Sequence, residues 1–139
     1  MVNYLGSVLH LIRSNLTLLI IAVLLSHKLA AQETSDNVWT GNWIGDGTLF
    51  QIQVEVTNGI MKVHQVDSMG FIWTSKDGSV EGNIARVEVE YAGVTGIIQA
   101  ELVDAQTAVA FAATCTPDFM VVCALAQDRQ AVFKKISVN

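Results

Sequence analysis

The stretch of residues 49–57 alternates between apolar and polar side chains. Every second residue from Phe50 to Val56 is apolar, and the residues between them are polar. Alternation with a period of two is typical of a β-strand that buries one face. Asn58-Gly59 follows, and both residues tolerate the positive φ angles of a two-residue hairpin turn. The sequence therefore predicts a β-hairpin at this point.

A two-residue turn also determines which residues face each other across the hairpin. The predicted pairs are Thr57 with Ile60, Val56 with Met61, Glu55 with Lys62, Val54 with Val63, Gln53 with His64, and Ile52 with Gln65. Matched apolar pairs and one pair of opposite charges support this register. The register places the side chain of His64 in solvent and the side chain of Gln65 in the core.

Further short strands follow, separated by turns rich in glycine, asparagine and aspartate. These strands are predicted at residues 70–74, 79–82, 85–91, 95–103, 107–114, 119–127 and 130–136. We therefore expect an all-β fold, an antiparallel up-and-down meander of about eight strands that closes into a small barrel. A β-sandwich is the alternative.

The N-terminal 31 residues differ from the rest of the chain. Residues 16–25 form a ten-residue apolar run between Arg13 and Lys28. A transmembrane helix needs about 20 apolar residues, whereas a run of about ten is typical of the hydrophobic region of a signal peptide. Small residues follow, so we expect a signal helix over residues 1–31 that is cleaved after its last residue. An uncleaved membrane anchor that extends back through residues 8–12 is the alternative.

Cleavage would leave a flexible polar lead-in at residues 32–38 and a single β-barrel domain at 39–139. The whole chain has 8 basic and 13 acidic residues and a formal net charge of -5. Because the signal contains two basic residues and no acidic one, the remaining chain has a net charge of about -7. An acidic surface argues against nucleic-acid binding and against stable membrane insertion after cleavage. The export signal predicts an extracytoplasmic protein, either periplasmic or secreted.

Cys115 and Cys123 are the two cysteines of the chain. In the oxidising compartment that an export signal implies, we expect them to form one disulfide bond. A structural zinc site needs three or four ligands, and no histidines lie near these cysteines to supply them. We therefore expect no metal site.

The segments 107–113 and 119–126 are apolar on both faces of their predicted strands. Strands of this kind are usually covered on both sides. On the outside of a small barrel the cover would be a second copy of the chain, so we expect a homo-oligomeric interface through the strands of residues 107–126. In the sandwich alternative, the second sheet would cover them.

No group of residues matches a known catalytic motif. His64 is the only histidine after the signal, and the hairpin register places it in solvent. Glu88 and Glu90 share an outward strand face with Arg86, which indicates a solvated charged face rather than an acid–base pair. The glycine-rich run at residues 41–47 lacks the lysine and the helix of a phosphate-binding loop. We expect a protein that is not an enzyme and that uses no cofactor.

An eight-stranded barrel either fills its interior with side chains or holds one small molecule. The residues expected to face inward combine aromatic side chains with one polar group, as small-ligand sites do. They are Phe50, Gln65, Phe71, Trp73 and Tyr91. An ordinary core with one buried amide is the alternative.

Gly41-Asn42-Trp43, at the start of the first strand, resembles the Gly-x-Trp that begins lipocalin barrels. Avidin-like barrels begin in a comparable way, so the chain resembles calycin-type β-barrels. The resemblance implies that Trp43 plugs one end of the barrel and that the open end binds a small hydrophobic molecule. It also implies a late arginine packed on this tryptophan, whereas Arg129 precedes the last strand, which carries lysines at residues 134–135.

Three functions are compatible with an exported barrel of this kind. The first is binding of a small, largely apolar ligand inside the barrel. The second is an inhibitor-like or protein-interaction module that presents Pro117, Asp118 and Phe119 on the loop closed by the 115–123 disulfide. The third is a structural envelope protein without a ligand. A continuous cavity would favour the first, and a filled barrel with an exposed Phe119 would favour the second.

Overall fold

The structure, a computed structural model, describes residues 35–137. The elements are a helical turn at residues 35–39, β1 (Gly41–Gly45), β2 (Gln51–Thr57), β3 (Ile60–Asp67), β4 (Trp73–Ser75), β5 (Gly78–Glu81), β6 (Ile84–Tyr91), β7 (Val94–Asp104), β8 (Thr107–Ala112), α1 (Val121–Ala126) and β9 (Gln130–Ile136). The predicted signal peptide, its cleavage site and residues 32–34 lie outside the described residues. Residues 35–38, assigned above to the lead-in, belong to the helical turn.

Eight of the strands close into an antiparallel barrel. Neighbouring strands pair in the order β1-β2-β3-β5-β6-β7-β8-β9, and β9 pairs with β1 to complete the circle. The extra strand β4 pairs with the second half of β6, whereas β5 pairs with the first half. The closed barrel confirms the predicted all-β antiparallel fold, and the sandwich alternative is wrong.

The β2–β3 hairpin has the predicted register in all six pairs. Asn58 and Gly59 have φ angles of 53° and 75°, as a hairpin turn of this kind requires. The carboxylate of Asp36 accepts a hydrogen bond from the backbone N–H of Gly59 at 3.3 Å. The hairpin turn is thereby joined to the helical turn at residues 35–39.

The turn expected between the predicted strands at residues 70–74 and 79–82 does not reverse the chain. β4 and β5 follow one another along the same edge of β6, and the N–H of Lys76 between them still donates to the carbonyl oxygen of Glu88 at 3.0 Å. A Cβ on Gly78 would clash with the carbonyl oxygen of Arg86. The glycine therefore permits close approach of two strands. It marks an interruption between β4 and β5 and not a hairpin turn.

Residues 119–127 do not form the predicted strand. They fold into turns and α1, in which Cys123 is buried and in which Val122 and Ala126, one helical turn apart, line the barrel interior. A short apolar run does not distinguish a strand from a buried helical segment by its periodicity. Of the two strands to which the oligomeric interface was assigned, only β8 exists as a strand.

One end of the barrel is closed by two tryptophans. Trp43 on β1 is 2% exposed, and its Nε1 donates a hydrogen bond to the carbonyl oxygen of Trp39 at 2.9 Å. The Nε1 of Trp39 donates to the carbonyl oxygen of Gly82 at 3.3 Å, which fastens the helical turn to the β5–β6 turn. The two rings lie 6.0 Å apart between centroids. Trp43, the plug that the calycin resemblance implies, is thus buried at this closed end.

Lys135 on β9 contacts the same residues from the other side of the β1–β9 pairing. Its Nζ lies 5.5 Å from the centroid of the Trp43 ring. It donates hydrogen bonds to the carbonyl oxygens of Val38 at 2.6 Å and Asn37 at 3.5 Å. Burial lowers the pKa of Lys135 because the charged amine loses hydration. The two carbonyls and the indole face offset that loss.

Replacing Lys135 with methionine keeps most of the aliphatic side chain and removes the charge. We expect Lys135→Met to lower the free energy of unfolding by about 1–3 kcal/mol, because two carbonyl oxygens lose their donor and the cation–π contact is lost. Urea denaturation measures this change. The control, Lys62→Met at an exposed position of β3, should cost at most about 0.5 kcal/mol. Equal losses in the two variants would contradict the role assigned to Lys135.

Candidate functional site: the cavity of the barrel

The barrel encloses a cavity of about 560 Å³. Side chains from β1–β4, β6–β9 and α1 line it, and nearly all of them are apolar. Pockets for small ligands commonly have volumes of about 300–1,000 Å³ and mostly apolar walls. The cavity therefore has the size and the lining of a small-molecule site.

Small inward-facing residues leave this space unfilled. The inward positions of β6, β7 and β8 include glycine or alanine where a barrel core would usually hold larger side chains. These residues are Ala85, Gly96, Ala100, Ala108 and Ala110. The alanines of β8, which belong to the segment predicted to form an oligomeric interface, therefore create volume inside the barrel.

Aromatic rings form another part of the wall. The ring centroid of Phe50 lies 6.2 Å from that of Trp73 and 6.2 Å from that of Phe133. Phe71 and Tyr91 meet edge to face with centroids 5.8 Å apart. Four of the five residues expected to face inward, namely Phe50, Phe71, Trp73 and Tyr91, line the cavity. The structure thus brings together the aromatic part of the predicted site.

Gln65 is the exception, because its side chain is exposed and does not line the cavity. Its position opposite Ile52 is as predicted, but β3 pairs with β5 only at Ile60 and Met61. Beyond those residues β3 separates from the neighbouring strand on that side. The side chain of Gln65 is left outside the cavity, and its Nε2 donates to the carbonyl oxygen of Trp73 at 2.5 Å. The prediction that Gln65 points into the core is therefore wrong.

The same separation leaves β3 and β4 without a backbone ladder between them. Besides the Gln65 hydrogen bond, the hydroxyl of Ser75 donates to the carbonyl oxygen of Val63 at 3.3 Å. Exposed apolar side chains surround this part of the barrel mouth, on β3 and on the β1–β2 and β3–β4 loops. They are Leu49, Val66, Met69, Phe71 and Ile72. The end opposite the two tryptophans is therefore loosely joined and apolar.

The indole nitrogen of Trp73 has no hydrogen-bond partner. It is buried, and it is the single buried side-chain nitrogen or oxygen in that condition among residues 35–137. Trp73 also lines the cavity. Because no water molecule could reach this nitrogen, it does not face the open space of the cavity, and it is an exception to the general pairing of buried polar groups.

A disulfide bond between Cys115 and Cys123 braces the segment that covers part of the mouth, as predicted. It ties α1 to the chain leaving β8, and Val122 and Ala126 of α1 contribute to the cavity wall. Thr116 in the same segment exchanges two backbone hydrogen bonds with Thr95, of 2.8 and 2.9 Å. The cover over the cavity is thus held at two places.

The tip of this braced segment projects into solvent. Pro117, Asp118 and Phe119 are exposed, and Phe119 is 81% exposed. Two residues of α1, Val121 and Leu125, add exposed apolar surface beside it. The cavity that would favour a ligand is therefore present, whereas of the two features that would favour a partner protein, a filled barrel and an exposed Phe119, only the exposed Phe119 is present.

The polar residues considered for catalysis lie away from the cavity. His64 is exposed, with its Nε2 3.9 Å from a carboxylate oxygen of Glu55. Glu88 pairs with Lys76 at 2.6 Å, and the hydrogen bond and charge of this carboxylate raise the pKa of Lys76. Within the described range, no three His, Cys, Asp or Glu side chains are grouped so that they could hold a metal ion. No helix there has the length and apolar character needed to cross a membrane.

Comparison with known proteins returns no relative. Neither a protein-family model, nor a curated protein, nor a solved structure matches the chain significantly. The geometry of the barrel and its cavity is therefore the basis for assigning a function. Sequence reasoning missed Lys135, since it looked for an arginine, and it missed the unpaired indole of Trp73, which no local pattern reveals.

Removing the disulfide tests the brace over the cavity. We expect the double variant Cys115→Ala/Cys123→Ala to lose about 2.5 kcal/mol of unfolding free energy, because the unfolded chain regains the freedom of a loop of about nine residues. Amide hydrogen exchange should become faster in α1 than in the β2–β3 hairpin. Wild-type protein under reducing conditions is the matched control and should behave in the same way. Unchanged exchange in α1 would show that the disulfide does not hold the helix in place.

Proposed function

We propose that this protein is an exported, non-enzymatic β-barrel that binds a small, largely apolar ligand in its cavity. The observation that supports the proposal is the 560 Å³ cavity with an almost wholly apolar lining. Water gains little in such a space because it finds few hydrogen-bonding groups there. An apolar ligand gains roughly 25 cal/mol for each Å² of its surface removed from water.

We further propose that the barrel is of the calycin type. Three features support this: the Gly41-Asn42-Trp43 start of β1, the closed eight-stranded antiparallel barrel, and the cation that packs on Trp43. The cation is Lys135, so a lysine of the last strand takes the place in which the resemblance implied an arginine.

Two observations support the export and the lack of catalysis that we propose. A disulfide between Cys115 and Cys123 is compatible with an oxidising, extracytoplasmic location. The charged and ionisable groups considered for catalysis, His64 and Glu88 among them, do not line the cavity. Chemistry on a bound ligand would need such groups to converge on it.

Filling the cavity tests the binding function. We expect the uncharged fluorescent probe N-phenyl-1-naphthylamine to bind one molecule per chain, with a Kd on the order of 10–100 μM for a ligand of this size. Ala110→Leu, which directs a larger side chain into the cavity, should weaken the probe at least about tenfold because it removes ligand volume. Probe fluorescence measures binding, and urea denaturation establishes that the variant is folded.

The matched control is Val109→Leu, one position away on the outer face of β8. It places the same leucine side chain outside the barrel and should leave the Kd within about twofold of the wild-type value. Absence of saturable binding to the wild type would count against the proposal. So would equal weakening by Ala110→Leu and Val109→Leu, because the probe would then bind elsewhere.

The second candidate function is protein interaction through the braced segment of residues 115–123. Its supporting observation is the apolar surface of Phe119, Val121 and Leu125, which are 81%, 72% and 65% exposed. Exposed clusters of large apolar side chains commonly mark interaction surfaces. A second copy of the chain is one such partner, in keeping with the homo-oligomer expected from residues 107–126.

Phe119→Ser separates this candidate from ligand binding. If the segment mediates self-association, sedimentation velocity at about 100 μM should show a dimer for the wild type and a monomer for the variant, because a buried phenylalanine contributes about 3 kcal/mol or more to an interface. The probe Kd should stay within about twofold, since Phe119 does not line the cavity. A wild type that stays monomeric would contradict self-association, and a variant that also loses the probe would contradict the separation of the two surfaces.

A further inference from the structure

The wall of the barrel is incomplete between β3 and β4. These two antiparallel strands follow one another in the chain and are joined by one short loop, an arrangement in which strands usually pair. Among the described residues, no backbone hydrogen bond joins β3 to β4. Two side-chain hydrogen bonds span the opening instead. Gln65 Nε2 donates to the carbonyl oxygen of Trp73, and the Ser75 hydroxyl donates to the carbonyl oxygen of Val63. We call this opening the β3–β4 gap.

The two strand edges that border the gap are matched for pairing. Within a strand, the N–H and C=O of one residue point to the same side, and those of the next residue point to the other side. The carbonyl oxygens of Val63 and Trp73 point into the gap, since each accepts a bond from the opposite strand. Gln65 and Ser75, two residues further along, therefore direct their backbone groups to the same side. The side-chain bonds place Val63 opposite Ser75. They also place Gln65 opposite Trp73. Both are pairs that an antiparallel ladder would join through the backbone.

The side chain of Gln65 opposes formation of this ladder. Met61, Val63 and Gln65 occupy alternate positions of β3, and the first two line the cavity. A ladder that extended to Gln65 would turn its amide towards the same apolar space, where the amide would lose water without gaining a partner. In the structure the side chain stays exposed. The gap is therefore held by side chains and not by backbone pairing.

The gap borders the cavity directly. Val63 and Trp73, one on each side of the gap, both line the cavity. The other cover of the mouth, the segment that contains α1, is held by a disulfide and by two backbone hydrogen bonds to β7. Elsewhere the wall consists of backbone ladders. Because two isolated side-chain bonds open at a lower cost than a ladder or a disulfide, the β3–β4 gap is the part of the wall that separates most easily.

We propose that an apolar ligand enters and leaves the cavity sideways through the β3–β4 gap, which opens when the two side-chain hydrogen bonds break and closes again over the bound molecule. This inference rests on the proposed ligand-binding function and adds the route that the ligand takes. Val66 beside Gln65 and Ile72 beside Trp73 are exposed apolar residues that the ligand would meet first. An opening of this kind changes how fast a ligand exchanges and leaves its affinity unchanged.

A metal clamp across the gap tests this route. His64 and Thr74 are exposed and lie between the two opposed pairs, so Thr74→His places two imidazoles opposite each other. Zinc ions bind imidazole nitrogens and can bridge such a pair reversibly. With about 1 mM zinc at neutral pH, the association and dissociation rate constants of N-phenyl-1-naphthylamine should both fall about tenfold in this variant. The Kd should stay within about twofold. Stopped-flow fluorescence measures the rates, and EDTA should restore them.

The matched control keeps His64 and moves the second histidine to the other neighbouring strand. Gln53 faces His64 across the β2–β3 ladder, so Gln53→His makes a zinc site between two strands that are already joined by their backbones. Zinc should bind this variant and leave both rates within about twofold of their values without zinc, as in the wild type. A higher urea midpoint in the presence of zinc establishes that a histidine pair is bridged.

The inference is overturned if zinc stabilises Thr74→His but leaves both rates unchanged, or if it slows Gln53→His equally. The ligand would then pass beneath α1, and Cys115→Ala/Cys123→Ala should raise both rates instead. The inference is also overturned if zinc does not stabilise Thr74→His, because His64 and position 74 would then not face each other across the gap. Each of these results is compatible with saturable equilibrium binding of the probe, which would uphold the proposed function alone. Failure of the wild type to bind the probe would overturn the proposed function itself.

Discussion

The packing of Trp43 against Lys135 is the contact on which the closure of the barrel depends. The two residues face each other across the pairing of β1 with β9, which is the last pairing needed to complete the circle. Closure pairs both edges of the sheet and so removes the exposed edge strands that an open meander would leave. Lys135 also donates a hydrogen bond to the carbonyl oxygen of Val38. The β1–β9 pairing, Trp43 and the helical turn at residues 35–39 are therefore stabilised together.

Backbone closure determines the width of the barrel, and the inward side chains determine how much of that width is filled. The hydrogen-bonded circle of eight strands persists whether an inward position carries alanine or leucine, because the ladders use only backbone atoms. At Ala100 and Ala110, which face each other across β7 and β8, the small side chains leave the interior open. The fold and the cavity are therefore specified by different parts of the sequence, and the cavity is not a by-product of closure.

This division explains what the sequence could and could not predict. The β2–β3 hairpin was predictable to the residue because an alternating strand and Asn58-Gly59 both act locally. Gln65 was misplaced because its environment depends on whether a neighbouring strand continues, and β3 has no ladder beyond Met61 on that side. α1 was missed because a disulfide and a short apolar run contain no periodicity that separates helix from strand. The aromatic wall was predictable as a set of inward positions, whereas the empty volume and the unpaired Trp73 indole follow from tertiary packing.

The two halves of the barrel serve opposite requirements. The buried cluster lies next to the tryptophan-closed end and includes residues near the turns at 58–59 and 82–83, such as Val56 and Val80, which do not line the cavity. The mouth instead has exposed apolar loops and a wall joined by side-chain hydrogen bonds. A ligand site needs unfilled apolar volume, which lowers the stability that packing supplies. A small barrel can tolerate that loss at one end only if the other end is densely packed, and the tryptophan–lysine cluster provides that packing.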